Sequence, residues 1–195
     1  ASGGRRIDFE MLRRAFVLTR SDYLWDPIGQ QCHTYGLAQW IPLTGIGAAS
    51  KGAYEIRSGM GAHFALATNY FTKDPNFWNA VNHSMRQYQA IRHLYQGSDF
   101  YPLGLYSIEK NVWMAWQFDR PDLGEGVVQA FRRQDCEQST ATYKLYSLDP
   151  DAMYEVRNWD ADTFQKSGRE LMEEGLSIKI ADKATAAVFV YKKVK

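Results

Sequence analysis

The sequence predicts two structural classes in one chain, an α/β region over residues 1–104 and an antiparallel β region over residues 105–195. The first region contains two helix starts of the same kind, Asp26-Pro27 and Asp74-Pro75, in which Asp caps the first turn and Pro occupies the first helical position. From about residue 108 the hydrophobic pattern changes to a period of two, which is typical of strands. Helices that alternate with strands favour βα units, and short strands in series favour a β-sandwich.

The beginning of the chain reads as a strand end, a glycine loop, a helix and a second strand end. Gly3 and Gly4 tolerate backbone angles that side chains forbid, and they let a ligand approach the main chain closely. Asp8 is placed to cap a short helix whose apolar residues follow at helical spacing over residues 9–16. Residues 19–25 mix β-branched and aromatic side chains, as strands do. This order of elements indicates a βα unit.

The rest of the first region continues with helices and short strands. We expect a helix from Pro27 to about Tyr35 that Gly36 ends, a buried strand over 40–46, a short strand or helical turn at 60–64, and a long helix from Pro75 that Gly97 ends. Residues 98–105, which contain Pro102 and Gly104, are the predicted domain link.

The second region contains six strand candidates and one short helix. The strand candidates are residues 112–118, 126–133, 140–148, 153–159, 176–181 and 185–194, and the helix is 168–174. Turn residues separate them, including Asp119 to Asp122. Trp113 and Trp116 fall on opposite strand faces, and we favour a core position for both over an exposed sugar-binding platform.

Composition excludes several functional classes. The chain of 195 residues is 45% hydrophobic, which is enough for a packed core, and its net charge of +1 argues against a nucleic-acid surface. It has no apolar run of membrane-spanning length and no signal-peptide pattern. Cys32 and Cys136 favour two buried thiols over a disulfide, and hence a cytoplasmic location. The four histidines have no metal-ligand spacing, so we expect neither a metal nor another cofactor.

Two motifs carry a resemblance to a known family. Ser2-Gly3-Gly4-x-Arg6-x-Asp8, followed by Ser21-Asp22, resembles the segment at the ends of the sixth and seventh barrel strands in the retaining α-galactosidases of glycoside hydrolase family 36. The spacing between the two motifs matches without a gap. Similar residues continue at Asp26-Pro27-Ile28, Tyr35-Gly36-Leu37, Trp40-Ile41-Pro42-Leu43, Leu148-Asp149-Pro150-Asp151 and Ser167-Gly168-Arg169-Glu170-Leu171-Met172.

The resemblance implies a fold and a set of site residues. It implies that the first region is a partial (β/α)8 barrel, about the last three βα units, since a closed barrel needs about 250 residues. It implies that Asp22 is the general acid/base and that an α-galactoside-like carbohydrate is the substrate. The sugar pocket would be lined by Ser2, Gly3, Gly4, Tyr23 and Trp25. The family nucleophile, an Asp on the fourth strand, has no counterpart in this sequence.

Alternatives to this interpretation stay open. An isolated Ser-Asp pair is ordinarily a solvated strand end, and it is the fixed spacing that favours catalysis for Asp22. The second hypothesis is a non-catalytic carbohydrate-binding or assembly module. The third is an esterase-like hydrolase that uses Ser21, Asp22 or His33 at an oligomer interface. Three open βα units would leave a bare sheet edge, so we expect a homo-oligomer or a missing barrel half to cover it.

Overall fold

The computed structural model describes residues 9–14, 18–19, 25–41, 43–48, 52–67 and 71–194. The chain divides into two compact units, residues 1–96 and residues 97–195. In the first unit the elements are α1 (Phe9–Arg14), β1 (Leu18–Thr19), α2 (Pro27–Leu37), β2 (Thr44–Ala48), α3 (Ala53–Gly59), β3 (His63–Leu66), α4 (Pro75–Ile91) and a 3₁₀ turn at Arg92–Leu94.

Both Asp-Pro helix starts are confirmed. A carboxylate oxygen of Asp26 accepts from the Ile28 amide, and one of Asp74 accepts from the Asn76 amide, each at 3.0 Å. Each cap satisfies an amide that has no partner within its helix. The predicted end of α2 at Gly36 is wrong, because the helix continues to Leu37 and a turn follows.

The strands of the first unit form a parallel sheet in the order β1-β2-β3. All five residues of β2 are buried. The strand predicted over residues 40–46 begins late, at Thr44, because residues 38–40 form the turn that leaves α2. Of the ambiguous residues 60–64, 60–62 connect α3 to β3, and His63 and Phe64 begin the strand β3. These three short strands do not by themselves establish a partial barrel.

The second unit is built almost entirely of antiparallel strands. They are β4 (Asp99–Pro102), β5 (Trp113–Arg120), β6 (Glu125–Arg132), β7 (Thr140–Tyr143), β8 (Met153–Asn158), β9 (Thr163–Ser167), β10 (Leu176–Lys179) and β11 (Thr185–Lys193), with α5 (Gly168–Glu173) between β9 and β10. Six strands form one sheet in the order β4-β5-β6-β11-β8-β9, and β10 pairs with β7 in a second sheet. The predicted antiparallel β-sandwich is thereby confirmed for this unit.

One core joins the two sheets of the second unit. It combines buried side chains of the large sheet, such as Val128 and Phe189, with buried side chains of the small sheet, such as Leu176 and Ile178. Trp113 packs against this core and is partly buried, whereas Trp116 is fully buried and its Nε1 donates to Gln129 Oε1 at 2.9 Å. Neither ring forms an exposed platform.

Two strands of the second unit were not predicted. Residues 99–102, which we expected in the domain link, form β4 and pair with β5. Residues 163–167 form β9 at the opposite edge of the sheet. Edge strands bury less of their surface, so the apolar alternation that identifies a strand is weak there.

A buried arginine fixes one end of the large sheet. The Arg132 guanidinium donates five hydrogen bonds of 2.6–3.1 Å to main-chain carbonyls. The acceptors are the carbonyls of Cys136, Glu137, Ile180 and Ala181. Because the planar guanidinium carries five donors, one side chain satisfies two loops at once.

Two further properties bear on the expectations from composition. Cys32 and Cys136 are both buried thiols. Within the part of the chain that the structure describes, no helix has both the length and the apolar character that a membrane span requires.

Candidate functional site

The sequence-predicted site falls mostly outside the described residues. This is true of Ser2, Gly3, Gly4, Asp22 and Tyr23. Their roles therefore stay predictions. In sequence, Asp22 comes three residues after the end of β1, and carboxyl ends of parallel strands share one edge of a sheet. This order of elements is the one in which barrel enzymes carry catalytic carboxylates.

Trp25 is the one predicted site residue that the structure describes. It lies in the turn before α2, next to the capping residue Asp26, and it is 78% exposed. The strand predicted over residues 19–25 therefore does not extend to Trp25, since β1 ends at Thr19 and Trp25 belongs to a turn. An exposed indole next to a helix start has its face available for a ligand, whereas a core position for Trp25 is excluded.

Polar side chains link the helices of the first unit. Gln31 Nε2 on α2 donates to Tyr54 Oη and to Ser58 Oγ on α3, each at 3.0 Å.

On β3, burial lowers the pKa of His63 below its ordinary value, so its imidazole is neutral at pH 7. Among the described residues of the whole chain, no three His, Cys, Asp or Glu side chains are placed to hold a metal ion.

The second unit contains a buried carboxyl group that the sequence did not single out. Asp119 on β5 is only 2% exposed. Tyr191 Oη on β11 donates to Asp119 Oδ1 at 2.5 Å, and Gln117 Nε2 donates to Tyr191 Oη at 2.8 Å. Asp119 Oδ2 is also buried, and it has no hydrogen-bond partner within the described part of the chain. One oxygen of this carboxyl group thus accepts a hydrogen bond, and the other accepts none from the described residues.

The environment of Asp119 stabilises the protonated form of its carboxyl group more than water does. Burial raises the pKa of Asp119 to about 6, the hydrogen bond from Tyr191 opposes the rise, and the nearby carboxylates of Asp99 and Asp122 add to it. Asp119 is therefore mainly ionised at pH 7 but titrates close to neutrality. A carboxyl group with such a pKa can both accept and, after modest acidification, donate a proton.

A glycine on the intervening strand makes the contact between Asp119 and Tyr191 possible. Gly126 on β6 lies between them in register, since it pairs with Asp119 on one side and with Tyr191 on the other. A Cβ atom at this position would lie 2.1 Å from Tyr191 Oη and 2.6 Å from the Phe118 carbonyl oxygen. The Tyr191 ring therefore crosses β6 over a bare main chain.

Gln117 connects Asp119 to a neighbouring loop. Besides Tyr191, its amide donates to the Tyr146 carbonyl at 2.9 Å and accepts from the Tyr146 amide at 2.8 Å. The Tyr146 ring stacks on Tyr101 of β4 with ring centroids 5.3 Å apart. The next residue, Ser147, has a φ of 62°, which is uncommon for a residue other than glycine. Gln117 thus fixes the main chain immediately before this unusual conformation.

Two segments that resemble the α-galactosidase family meet at one corner of the second unit. The Gly168 amide donates to the Ala152 carbonyl at 2.8 Å, the Arg169 amide donates to the Pro150 carbonyl at 3.2 Å, and Arg169 pairs with Asp151 at 3.0 Å. A Cβ atom at Gly168 would lie 2.0 Å from the Asp149 carbonyl oxygen. The loop at 148–151 and the start of α5 can therefore pack this closely only with glycine at 168.

A cavity of about 300 Å³ opens beside this corner. Its lining includes Asp119, Gly124, Ser147, Asp149, Tyr154 and Lys193. We call it the Asp119 cavity. Lys193 Nζ pairs with Asp149 Oδ2 at 2.7 Å, and the Asp149 amide donates to Tyr154 Oη at 3.0 Å. The cavity lies within the second unit, and it contains two carboxyl groups and one ammonium group.

Sequence reasoning assigned Asp119 to a turn with Asp122, which is wrong because β5 continues through Arg120. A signal was present in the pattern. Gln117 and Asp119 are two residues apart and so share a face of the strand with Ala115, a core residue. Two polar side chains that continue an apolar strand face indicate a buried polar cluster. Nothing in the local sequence identifies Tyr191 as the partner.

The comparisons with known proteins concern both the sequence and the fold. Residues 113–191 match the model of the glycosyl hydrolase family 36 C-terminal domain. A variant of the family 36 α-galactosidase AgaA from Geobacillus stearothermophilus, solved in complex with raffinose, is similar with a TM-score of 0.74, 21% identity, 94% of this chain covered and 27% of that chain covered. The α-galactosidase from Lactobacillus brevis is similar with a TM-score of 0.76, 17% identity, 96% of this chain covered and 28% of that chain covered.

A third similar structure is the α-galactosidase AgaB from Geobacillus stearothermophilus, with a TM-score of 0.72, 19% identity, 95% of this chain covered and 30% of that chain covered. The chain thus spans about 27–30% of the length of these three enzymes. No curated protein sequence matches it. The chain therefore contains a C-terminal part of the glycoside hydrolase family 36 type, similar in fold to the corresponding part of the family's α-galactosidases.

Proposed function

We propose that the chain supplies the acid/base side of the active site in an α-galactosidase-like retaining glycosidase. The observation that carries this proposal is the fold likeness to family 36 α-galactosidases over 94–96% of the chain, which includes the first unit as well as the matched domain. The spacing of Ser2-Gly3-Gly4 and Ser21-Asp22 agrees with it. The AgaA variant was solved with raffinose, and an α-galactoside is accordingly the substrate class that we propose here.

In this proposal Asp22 protonates the glycosidic oxygen as the leaving group departs. The same carboxylate then takes a proton from the water that releases the sugar. The main chain at Ser2, Gly3 and Gly4 binds sugar hydroxyls, and Tyr23 and Trp25 provide aromatic faces for the sugar ring. Exposure of the Trp25 ring is compatible with this role.

The reaction needs a second carboxylate, about 5–5.5 Å from the first, to attack the anomeric carbon. No residue of this sequence matches the family nucleophile. We therefore propose that the nucleophile comes from a missing barrel half, or that another carboxylate on a second copy of the chain takes its place. Three parallel strands, followed by helices in βα order, support a partial barrel within residues 1–104, with residues 105–195 as the β domain.

The test is hydrolysis of an aryl α-galactoside at increasing concentrations of the chain. If a copy of the chain completes the site, the rate per chain rises with concentration as the oligomer forms. Asp22→Asn is then expected to lower kcat/KM by about 100-fold or more and to remove the alkaline limb of the pH profile. Asp26→Asn is the matched control, because Asn caps a helix as well as Asp does and the rate should be unchanged.

Three outcomes would contradict the proposal. Turnover that is unchanged by Asp22→Asn would exclude this residue as the acid/base. Sugar binding without turnover at any concentration, including after addition of a separately produced barrel half, would favour a non-catalytic carbohydrate-binding module. Hydrolysis of activated esters but not of galactosides would favour the esterase-like alternative.

A further inference from the structure

The Asp119 cavity has a feature that the proposed glycosidase activity does not use. Its buried carboxyl oxygen, Asp119 Oδ2, has no hydrogen-bond partner among the described residues, although the whole side chain is 2% exposed. Leaving a buried polar atom without a partner is unfavourable, and such atoms are rare in folded proteins. Protonation does not remove the problem, since a protonated Oδ2 would be a donor that lacks an acceptor instead.

The residue that carries the unsatisfied atom lines a cavity with room for a ligand. Asp119 lines a cavity of about 300 Å³, which is at the lower end of the range of about 300–1,000 Å³ that is typical of small-molecule sites. Asp119 is held in place by Tyr191, which reaches it over Gly126. The carboxyl group is thus pre-organised, with Oδ1 held by Tyr191 and Oδ2 without a hydrogen-bond partner among the described residues.

The remaining lining residues indicate the chemistry of the ligand. Ser147 and Lys193 offer donors, and Asp149 offers a further acceptor. Pro121 and Leu148 add apolar surface to the lining. Two carboxyl groups against one ammonium group disfavour an anion. Lys193 already neutralises Asp149, so the unsatisfied atom needs a hydrogen-bond donor more than it needs a second cation. Hydroxyl groups both donate and accept, and a ring that carries several of them matches donors, acceptors and apolar surface together.

We propose that the Asp119 cavity binds a small neutral polyhydroxylated molecule, of the size of a monosaccharide or smaller, with a hydroxyl group donating to Asp119 Oδ2. This site belongs to the β domain alone and requires neither Asp22 nor the barrel nucleophile. Ser147, whose left-handed backbone follows the Tyr146 peptide held by Gln117, borders the ligand. The β domain then serves as a second carbohydrate-recognition site, separate from the place where chemistry would occur.

The experiment is a titration of the isotope-labelled full chain, followed by amide chemical shifts at Gly124, Ser147 and Asp149. The probes are D-galactose, D-glucose, glycerol and ethylammonium chloride, each at pH 7.5. We expect saturable shifts at these amides with a sugar or with glycerol, and none with ethylammonium. Because the amides report on this cavity alone, the result is independent of sugar binding near Asp22 and of any turnover.

Variants test the role of each group. Asp119→Asn preserves the shape and is expected to weaken binding by about tenfold or more, because a hydrogen bond to a charged acceptor is lost. Asp122→Asn is the matched control, since Asp122 is exposed, pairs with Arg120 and does not line the cavity, and it should leave binding unchanged.

A second pair of variants leaves the buried carboxyl group of Asp119 unchanged. Asn and Gly both tolerate a positive φ, so Ser147→Asn and Ser147→Gly should fold, and the larger Asn side chain should reduce binding more than Gly does. Absence of saturable shifts with all three hydroxylated probes, equal affinity in Asp119→Asn and the unmodified chain, or saturation by ethylammonium alone would each overturn the proposal.

Discussion

The two units of this chain fix their polar groups in different ways. In the first unit the helix caps are local, since Asp26 and Asp74 cap the helices that they precede. Gln31 links α2 to α3 over separations of 23 and 27 residues. In the second unit the polar contacts join strands that are remote in sequence, as Tyr191 and Asp119 are with a separation of 72 residues. Contacts between residues that are close in sequence can be predicted from a short stretch of it. Contacts across a sheet depend on strand order and register.

The two units also carry different parts of the likeness to glycosidases. The family model matches residues 113–191, in the second unit, whereas the motifs that imply catalysis lie at residues 2–8 and 21–22, in the first. The match of residues 113–191 to the C-terminal domain of a glycosidase family therefore does not by itself assign a reaction to the chain. The chemistry has to be tested on the first unit, and the stability of the sheet has to be tested on the second.

The largest effect that we expect comes from the buried arginine of the sheet. Arg132→Met removes five hydrogen bonds to four main-chain carbonyls, two of which, those of Cys136 and Ile180, belong to buried residues. We expect the free energy of unfolding to fall by about 4 kcal/mol, as is typical when a buried hydrogen-bond network is broken. Urea unfolding followed by circular dichroism measures the change.

Arg157→Met is the control for this variant. Arg157 lies on β8 of the same sheet and is exposed, so the same chemical change should alter the free energy of unfolding by less than about 0.5 kcal/mol. Equal effects at the two positions would show that the carbonyl contacts of Arg132 do not stabilise the sheet.

We expect a smaller effect when glycine is replaced by alanine, and this substitution can be compared between the two units. Gly126→Ala places a methyl group 2.1 Å from Tyr191 Oη, and we expect a loss of about 3 kcal/mol in the free energy of unfolding because the ring or the strand has to move. Gly36→Ala meets no atom within 4 Å and lies inside α2. This second variant should gain about 0.5–1 kcal/mol, since Ala favours a helix over Gly.

A decrease in the free energy of unfolding for Gly126→Ala and an increase for Gly36→Ala would support the difference between the two sites. One is a strand that a side chain crosses, and the other is a helix surface. A neutral Gly126→Ala would mean that Tyr191 does not cross β6 as described. The double variant Gly126→Ala with Tyr191→Leu distinguishes the two causes, because removal of the ring should recover part of the loss that Gly126→Ala alone produces.

The smallest effect concerns pH. The folded pKa of Asp119 is raised to about 6 from an ordinary value of 3.8, so the folded state binds this proton more tightly than the unfolded state does. Its contribution to stability is fully present below pH 3.8 and is lost as pH rises through about 6. Between pH 4 and pH 7.5, the stability of Asp119→Asn relative to the unmodified chain should increase by about 2 kcal/mol.

Asp122→Asn has the opposite sign and serves as the control. The hydrogen bond from Arg120 lowers the pKa of Asp122, so its contribution is present above its ordinary pKa and is lost as pH falls. The groups that face Asp119 are Asp99 on β4, Asp122 in the following turn and Tyr191 on β11. Relative stability of Asp119→Asn that does not change with pH would show that the buried carboxyl group titrates normally.

The sequence predicted those elements whose determinants are local. The Asp-Pro starts identified α2 and α4, and the Ser167 to Glu170 capping box accompanies the predicted short helix α5. Six strands of the second unit followed from their alternation. The edge strand β9 did not, since its residues are mostly exposed. Register could not be predicted, and without it neither the contact between Asp119 and Tyr191 nor the cavity beside it was visible.

The order of the strands has a consequence for biosynthesis. The large sheet places β11 between β6 and β8, although residues 185–193 come last among its strands in the sequence. Without this segment the sheet can form only as two ribbons, β4-β5-β6 and β8-β9, each with an unpaired inner edge that can pair with another molecule. We therefore expect the chain to be most prone to aggregation during translation just before β11 emerges.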